Sequence, residues 1–183
     1  SCSNANSVDI NNQQDYMRRF VIKGPGNDPN TANHLSYLPP DSTYTSSIRL
    51  GNNCGGSHEA EMLCYEFDVR PQISLIFIWY ALSLQNGQHT VSENPEFAIE
   101  IEKKVGNTWE RVGHDTLCFI RPTPAGSGSD VSPFYVGSTG QHTPGTYGCN
   151  IYLPWNKVAI NLINYLYQRV SIRVGAGDCS MSA

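Results

Sequence analysis

Apolar and polar residues alternate along several short segments, which is the pattern of strands with one buried face. The alternation is clear at 62–69, 97–102, 158–162 and 170–174. Gly106 and Asn107 follow the second segment as a turn, and residues 109–112 are predicted to be the return strand of a β-hairpin. Shorter strands are predicted at 16–23 and 117–120. Many short strands, with no convincing amphipathic helix, predict an all-β sandwich.

The segment 73–84 is apolar at almost every position and rich in β-branched and aromatic residues. We interpret it as a central strand covered on both faces. Its longest apolar run, at 75–82, has eight residues. A membrane-spanning helix needs about 20, so direct membrane insertion is not expected.

Two turn-rich segments flank the predicted strands, within what we interpret as a single domain over 1–183. Residues 1–46 form an irregular N-terminal segment, and residues 121–149, rich in Gly, Pro, Ser and Thr, form a long surface loop. Loops of that length are usually functional or mobile. The first residues do not show a basic segment followed by an apolar one, so no signal peptide is predicted within this sequence.

The charge balance argues against a nucleic-acid partner. Charged residues are 15% of the chain, and 12 basic against 16 acidic residues give a net charge of −4. A nucleic-acid-binding protein is expected to carry a basic patch or stripe instead.

The six cysteines contain no C-x-x-C pair, so the sequence lacks the usual zinc and thioredoxin signatures. Spread cysteines in a chain of low charge indicate disulfides and an oxidising compartment, and scattered buried thiols in a cytosolic protein are the alternative. Six cysteines allow 15 complete pairings. We favour Cys54–Cys64 across a turn, Cys118–Cys149 across the long loop, and Cys2–Cys179 between the two ends.

An ordered series of motifs resembles the jelly-roll modules of large surface proteins from the Bacteroidetes phylum. Those proteins include adhesins of the gliding-motility type and cargo of the type IX secretion pathway. The layout is also similar to MAM-type and carbohydrate-binding jelly rolls. The series runs from an R-L-G-N strand to an aspartate–cysteine turn, and its segments are 47–52, 58–69, 77–84, 89–99, 155–162, 165–172 and 177–180.

The resemblance implies a jelly-roll β-sandwich of two antiparallel sheets in an exported, cell-surface protein. The family usually continues after the aspartate–cysteine turn with an aromatic strand of the form H-F-G-Y-A-Y. This sequence ends at Ala183, before such a strand, so we expect an open sheet edge. It also lacks the N-F-E-type opening strand, and Cys54 stands where the family usually has a polar residue. Short Asp-Ser/Thr motifs in Bacteroidetes carry O-linked glycans, which makes Ser42 and Thr116 candidate sites.

Catalytic residues are not predicted. The sequence contains no G-x-S-x-G motif, and its five histidines are isolated from one another. We therefore expect that the chain is not an enzyme and needs no catalytic cofactor.

A structural calcium ion is one interpretation of the acidic residues. Glu59 and Glu61 share a face of an alternating strand, and Asp178 lies in a turn. Carboxylates of this kind bind Ca²⁺ in proteins. The alternative is a solvated acidic face, because the regular aspartate spacing of a calcium loop is absent.

Aromatic residues in or beside the long loop are the best candidates for ligand contact. Phe134, Tyr135 and Tyr147 lie among small polar residues, where aromatic rings stack on sugars or anchor a protein partner. For Tyr152 and Trp155 the alternative is a role in capping the sandwich core, which we favour for Trp155.

Taken together, these features predict a non-catalytic extracellular adhesion or ligand-binding module of a larger surface protein. Its expected partners are a glycan or another surface protein, together with neighbouring domains of the parent protein. Two alternatives remain: a structural spacer or subunit of a cell-surface assembly, and an accessory domain of a secreted hydrolase.

Overall fold

The computed structural model of the chain describes residues 20–41, 43–51, 60–86, 95–112, 118–120, 135–136 and 149–177. The described residues form ten strands joined by turns and short 3-10 segments. The strands are β1 (Phe20–Lys23), β2 (Ser47–Leu50), β3 (Ala60–Asp68), β4 (Leu75–Asn86), β5 (Glu96–Val105), β6 (Thr108–Arg111), β7 (Cys118–Ile120), β8 (Tyr135–Val136), β9 (Cys149–Asn161) and β10 (Arg169–Gly177).

The strands form three antiparallel groups. Strands β1 and β2 pair with each other; β3, β10, β5 and β6 follow in that order in a five-stranded sheet, with β7 also pairing with β5; and β4, β9 and β8 form a three-stranded sheet. The all-β sandwich predicted from the sequence is confirmed. Within the described ranges, no helix has the length and apolarity needed to cross a membrane.

The hydrophobic core lies between the two larger sheets. Phe97, Ile99 and Ile101 of β5 are 5%, 0% and 5% exposed, as their alternation predicted. Core residues from the three-stranded sheet include Leu82, Leu153 and Ile160, and the Tyr80 and Phe97 rings stack with centroids 5.1 Å apart. Burying a large apolar side chain completely contributes about 1.5–3 kcal/mol, so these inward rows hold the sheets together.

The predicted hairpin is confirmed at β5 and β6. Val105 pairs with Thr108 across a two-residue turn, and Gly106 has a φ of 59°. A positive φ at the first turn position favours glycine, which has no Cβ to oppose it.

The prediction of a central strand covered on both faces at 73–84 is wrong for the described part of the chain. Residues Pro71–Ile73 form a 3-10 turn, and β4 is the end strand of its sheet, where it pairs with β9 alone. Its inward residues Ile76 and Ile78 pack against the core, whereas Leu75 and Phe77 are 53% and 49% exposed. An apolar run shows that both faces of a strand are apolar, but it does not show that both are covered.

Strand β9 is longer than predicted because a β-bulge lets it continue through a proline. Pairing skips between Tyr80/Asn156 and Leu82/Leu153, so Pro154 and Trp155 stand opposite the single residue Ala81. Proline lacks a backbone N–H, and a bulge is one of the few places where a strand accepts it. The segment 121–149, predicted to be a loop, also contains the short strand β8, which pairs with the early part of β9.

Candidate functional site: an aromatic sheet face

The outward side of the three-stranded sheet carries aromatic rings around one lysine. Phe77 and Trp79 are two positions apart on β4, so they project from the same face. Lys157 is the register partner of Trp79 on β9, and its Nζ lies 4.5 Å from the Phe77 ring centroid and 5.2 Å from the Trp79 centroid. The ammonium group is therefore held between two ring systems by cation–π attraction.

No carboxylate within the described ranges forms an ion pair with Lys157. Its contacts in the described part of the chain are the two rings, and it makes no ion pair there. Its side chain is exposed to solvent, as is Phe77. An exposed ammonium group that is already positioned is able to meet an anionic group at a low cost in side-chain ordering.

The bulge in β9 places Trp155 beside this cluster rather than in the core. Trp155 stands two positions before Lys157, and its indole Nε1 donates a 2.8 Å hydrogen bond to the Ser36 carbonyl. The interpretation of Trp155 as a core cap is wrong, because the core cluster and the residues packed on it do not include it. We call the surface formed by Phe77, Trp79, Trp155 and Lys157 the aromatic face.

A compact N-terminal loop borders the aromatic face. The segment 26–37 was predicted to be irregular, but it is closed by hydrogen bonds from the Asp28 amide to the Leu35 carbonyl and from the Tyr37 amide to the Gly26 carbonyl, both of 2.8 Å. Thr31 is fully buried. Its hydroxyl group donates a hydrogen bond to the Asp28 carbonyl and accepts one from the Leu35 amide. The order within this loop gives Ser36 a fixed position under Trp155.

The loop also contacts β9 beyond Trp155. The His34 ring stacks on Tyr152 with centroids 6.2 Å apart and an interplanar angle of 9°. Tyr152, like Trp155, contacts the N-terminal loop and is not part of the core cluster. The aromatic residues of β9 therefore hold the loop against the three-stranded sheet.

Asp41 follows this loop, and its carboxylate interacts electrostatically with Lys157. The amide and hydroxyl of Thr43 donate to Asp41 Oδ1 at 3.1 and 2.8 Å. These hydrogen bonds lower the pKa of the Asp41 carboxyl below its usual value, and the positive charge of Lys157 lowers it further. Asp41 is thus engaged by Thr43 and acts on Lys157 only at longer range.

The basic side chains of the five-stranded sheet are held differently from Lys157. Its three described arginines each contact a glutamate, in the pairs Arg111–Glu100, Arg169–Glu66 and Arg173–Glu102. Lys104 lies 6.0 Å from the Trp109 ring centroid, a weaker version of the arrangement at Lys157. Lys157 differs from these arginines because rings, and not carboxylates, hold it.

The ligand-contacting residues predicted from the long loop are only partly located. Phe134 and Tyr147 lie outside the described residues. Tyr135 begins β8 and pairs in register with Tyr152, and its side chain lies outside what the structure describes. The role of these three residues in ligand contact stays a prediction.

The predicted metal residues are not brought together within the described part of the chain. Glu59 and Asp178 lie outside it. Glu61 is 4% exposed near the start of β3, so the alternative of a solvated acidic face is wrong for this residue. No group of three or more metal-ligating side chains is present in the described ranges. A calcium ion at Glu61 stays a prediction.

Cys64 lies on β3 and is disulfide-bonded. Its pairing with Cys54 stays a prediction, because Cys54, Cys2 and Cys179 lie outside the described residues. Cys118 and Cys149 begin β7 and β9, and the structure gives their strand positions only. The candidate O-glycosylation sites Ser42 and Thr116 also lie outside the described residues.

Sequence reasoning missed the aromatic face because it assigned the outward side of β4 to a buried layer. Phe77 and Trp79 lie within an uninterrupted apolar run, where periodicity does not separate a covered face from an open one. One signal was present: Trp155 and Lys157 alternate with inward residues on a second strand. The residues near Trp155 and Lys157 in the sequence do not indicate which strand pairs with this one.

Comparisons of the chain with protein-family models, with curated proteins and with solved structures found no match. The fold and the geometry of the aromatic face are therefore the basis for a functional proposal.

Proposed function

We propose that this chain is a non-catalytic, extracellular ligand-binding module that recognises a glycan through its aromatic face. The observation that carries the proposal is the cluster of Phe77, Trp79 and Lys157 on the outward side of a sheet. Monomeric soluble proteins rarely expose contiguous apolar surface without a binding role. Aromatic rings offer flat apolar faces, and the lysine beside them offers hydrogen-bond donors.

A second feature favours a ligand rich in oxygen atoms. The Trp79 Nε1 atom is shielded from solvent and lacks a hydrogen-bond partner in the described part of the chain. A buried donor without an acceptor is costly, by about 1–3 kcal/mol. Glycan hydroxyl groups are acceptors for a donor of this kind. A purely apolar protein partner offers none.

The finer features of the proposal rest on the sequence. We propose a jelly-roll topology, export and attachment to a larger surface protein of the Bacteroidetes type, because the ordered motifs resemble such modules. The disulfide at Cys64 supports export, since disulfides persist mainly in oxidising compartments.

The proposal is tested by a glycan array probed with the purified chain, followed by titration calorimetry with each glycan retained. Phe77→Ala removes a ring that is 49% exposed, so the fold is expected to survive while glycan affinity falls about tenfold. Trp109→Ala is the matched control, because it removes a ring that is likewise paired with a lysine but lies on the other sheet.

Loss of affinity in Phe77→Ala, with unchanged affinity in Trp109→Ala, supports the proposal. An array without a saturable hit from folded protein contradicts it. Equal losses in the two variants also contradict it, because binding then does not depend on the aromatic face.

A protein assembly role is the second candidate, and it is favoured because β4 pairs only with β9 among the described strands. Leu75 is 53% exposed on β4, and Tyr65 is 63% exposed on β3, the end strand of the described five-stranded sheet. Apolar edges of this kind are sites of strand addition. Sedimentation velocity at increasing concentration distinguishes this role: self-association that Leu75→Lys abolishes favours assembly, and a monomer at all concentrations opposes self-assembly.

A further inference from the structure

We propose that the ligand of the aromatic face is an acidic polysaccharide, whose carboxylate or sulfate group binds Lys157 Nζ while its sugar rings contact Phe77 and Trp79. This inference rests on the proposed function and goes further, because it assigns the charge of the ligand. A neutral glycan would contact the rings and accept hydrogen bonds from Lys157, but it would lack the charge attraction.

Lys157 is positioned before any ligand binds. Its Nζ lies 4.5 Å and 5.2 Å from two ring centroids, which restricts the side chain to a small part of its conformational range. A lysine side chain that is free to rotate loses conformational entropy when a ligand orders it. An anion that binds a lysine already held by two rings avoids part of that cost.

The Lys157 ammonium group is also available to an anionic ligand. The arginines of the five-stranded sheet are matched with glutamates, for example Arg173 with Glu102 at 2.6 Å. Lys157 makes no such pair in the described part of the chain. A cation held over aromatic rings and open to solvent retains most of its ability to attract an anion.

The chain has a net charge of −4, so a polyanion is repelled by most of its surface. Binding of an acidic polymer therefore requires a local positive site beside groups that contribute apolar contact. The aromatic face provides both, with Asp41 as an opposing charge that acts on Lys157 from a distance.

A variant at Asp41 tests the inference through an expected increase in ligand affinity. Asp41→Asn removes a negative charge that acts on Lys157, while the amide oxygen still accepts a hydrogen bond from Thr43. We expect tighter binding of acidic polysaccharides by about twofold to threefold at low ionic strength, with no change for a neutral glycan.

The experiment uses pairs of probes that differ in charge alone. Polygalacturonate is compared with its methyl ester, and chondroitin sulfate with chemically desulfated chondroitin, by affinity electrophoresis and calorimetry of the full chain. Lys157→Met keeps the length and apolar stem of the side chain but removes the charge. Lys104→Met is the matched control, because Lys104 also lies over a tryptophan ring.

We expect at least one charged probe to bind, its uncharged counterpart to bind about tenfold more weakly, and Lys157→Met to show the same loss. Lys104→Met should bind as the unaltered chain does. Equal affinity for charged and uncharged members of each pair overturns the inference and leaves glycan recognition standing. Failure of every charged probe also overturns it, and failure of neutral glycans as well overturns the proposed function.

Discussion

Trp155 and Ser36 stand 119 positions apart in the sequence and are joined by a 2.8 Å hydrogen bond from the indole Nε1 to the carbonyl oxygen. This bond fixes the N-terminal loop against the outward side of β9. It also keeps the indole beside Lys157, on the surface that we propose as the ligand site. One hydrogen bond thus links the order of the loop to the geometry of the site.

Trp155→Phe removes the donor and keeps an aromatic ring. We expect a loss of about 1 kcal/mol in the free energy of unfolding, together with faster amide hydrogen exchange at Leu35 and Tyr37. Amide hydrogen exchange in β5 should remain slow relative to exchange in the loop. Trp109→Phe is the control, and equal acceleration of exchange at Leu35 in both variants would show that the bond to Ser36 does not hold the loop.

Ile99 lies in the centre of the core with 0% exposure. Ile99→Ala should lower the free energy of unfolding by about 2–5 kcal/mol, because apolar contact is lost and a cavity remains. Ile22→Ala, at a side chain that is 59% exposed, should cost far less. Urea denaturation of both variants measures the difference, and similar costs at the two sites would argue against the placement of the core.

Arg173 and Arg169 lie on the same strand and test how much burial matters for an ion pair. Arg173 contacts Glu102, whose side chain is 11% exposed, whereas Arg169 contacts Glu66 at 33%. Arg173→Met leaves a nearly buried carboxylate without its partner and should destabilise the chain by about 2–3 kcal/mol.

Arg169→Met should cost at most about 1 kcal/mol, as is usual for exposed ion pairs. Adding Glu102→Gln to Arg173→Met should recover part of the stability, because no buried charge then lacks a partner. A double variant that is less stable than Arg173→Met would exclude this explanation.

The pKa of Asp41 is lowered by hydrogen bonds from Thr43 and by the charge of Lys157. Because the folded pKa lies below the usual aspartate value of 3.8, the stabilisation that the Asp41 carboxylate gives the turn is fully present above that pH and is lost as pH falls through the lower folded pKa. A pH titration of the Thr43 amide chemical shift should have its midpoint below 3.8. Lys157→Met should move the midpoint upwards, and an unchanged midpoint would exclude coupling between the two charges.

Gly106 adopts a φ of 59° in the hairpin turn between β5 and β6. Gly106→Ala should destabilise the chain by about 1 kcal/mol, because a Cβ disfavours this conformation. Gly24→Ala is the comparison, since Gly24 has space for a Cβ and no positive φ. Thermal unfolding of the two variants tests this, and an equal stability for both would contradict the strain argument.

Local pattern was sufficient to predict the sandwich and the strands whose faces differ in polarity. The alternation of Phe97, Ile99 and Ile101 with polar neighbours identified the buried side of β5, since period-two patterns report which face is covered. The turn at Gly106 followed from its residue type. In these places the chemistry of neighbouring residues determines the structure.

The position of β4 could not be predicted in the same way. Its apolar run is compatible with a central strand and with an end strand, and the choice depends on pairing with β9, more than sixty residues away. Trp155 was assigned to the core for a similar reason. The bulge that turns its side chain away from the core arises from the pairing of β9 with the distant strand β4. The aromatic face therefore depends on tertiary contacts and not on a sequence motif.

The most direct test of the aromatic face uses the indole N–H resonances of the three tryptophans in ¹H–¹⁵N spectra of the labelled chain. Titration with polygalacturonate should shift the Trp79 and Trp155 indole signals along a saturable curve. The Trp109 signal, on the other sheet, should stay in place. Shifts confined to Trp109, or a saturable interaction that leaves Trp79 and Trp155 unchanged, would contradict ligand recognition at the aromatic face.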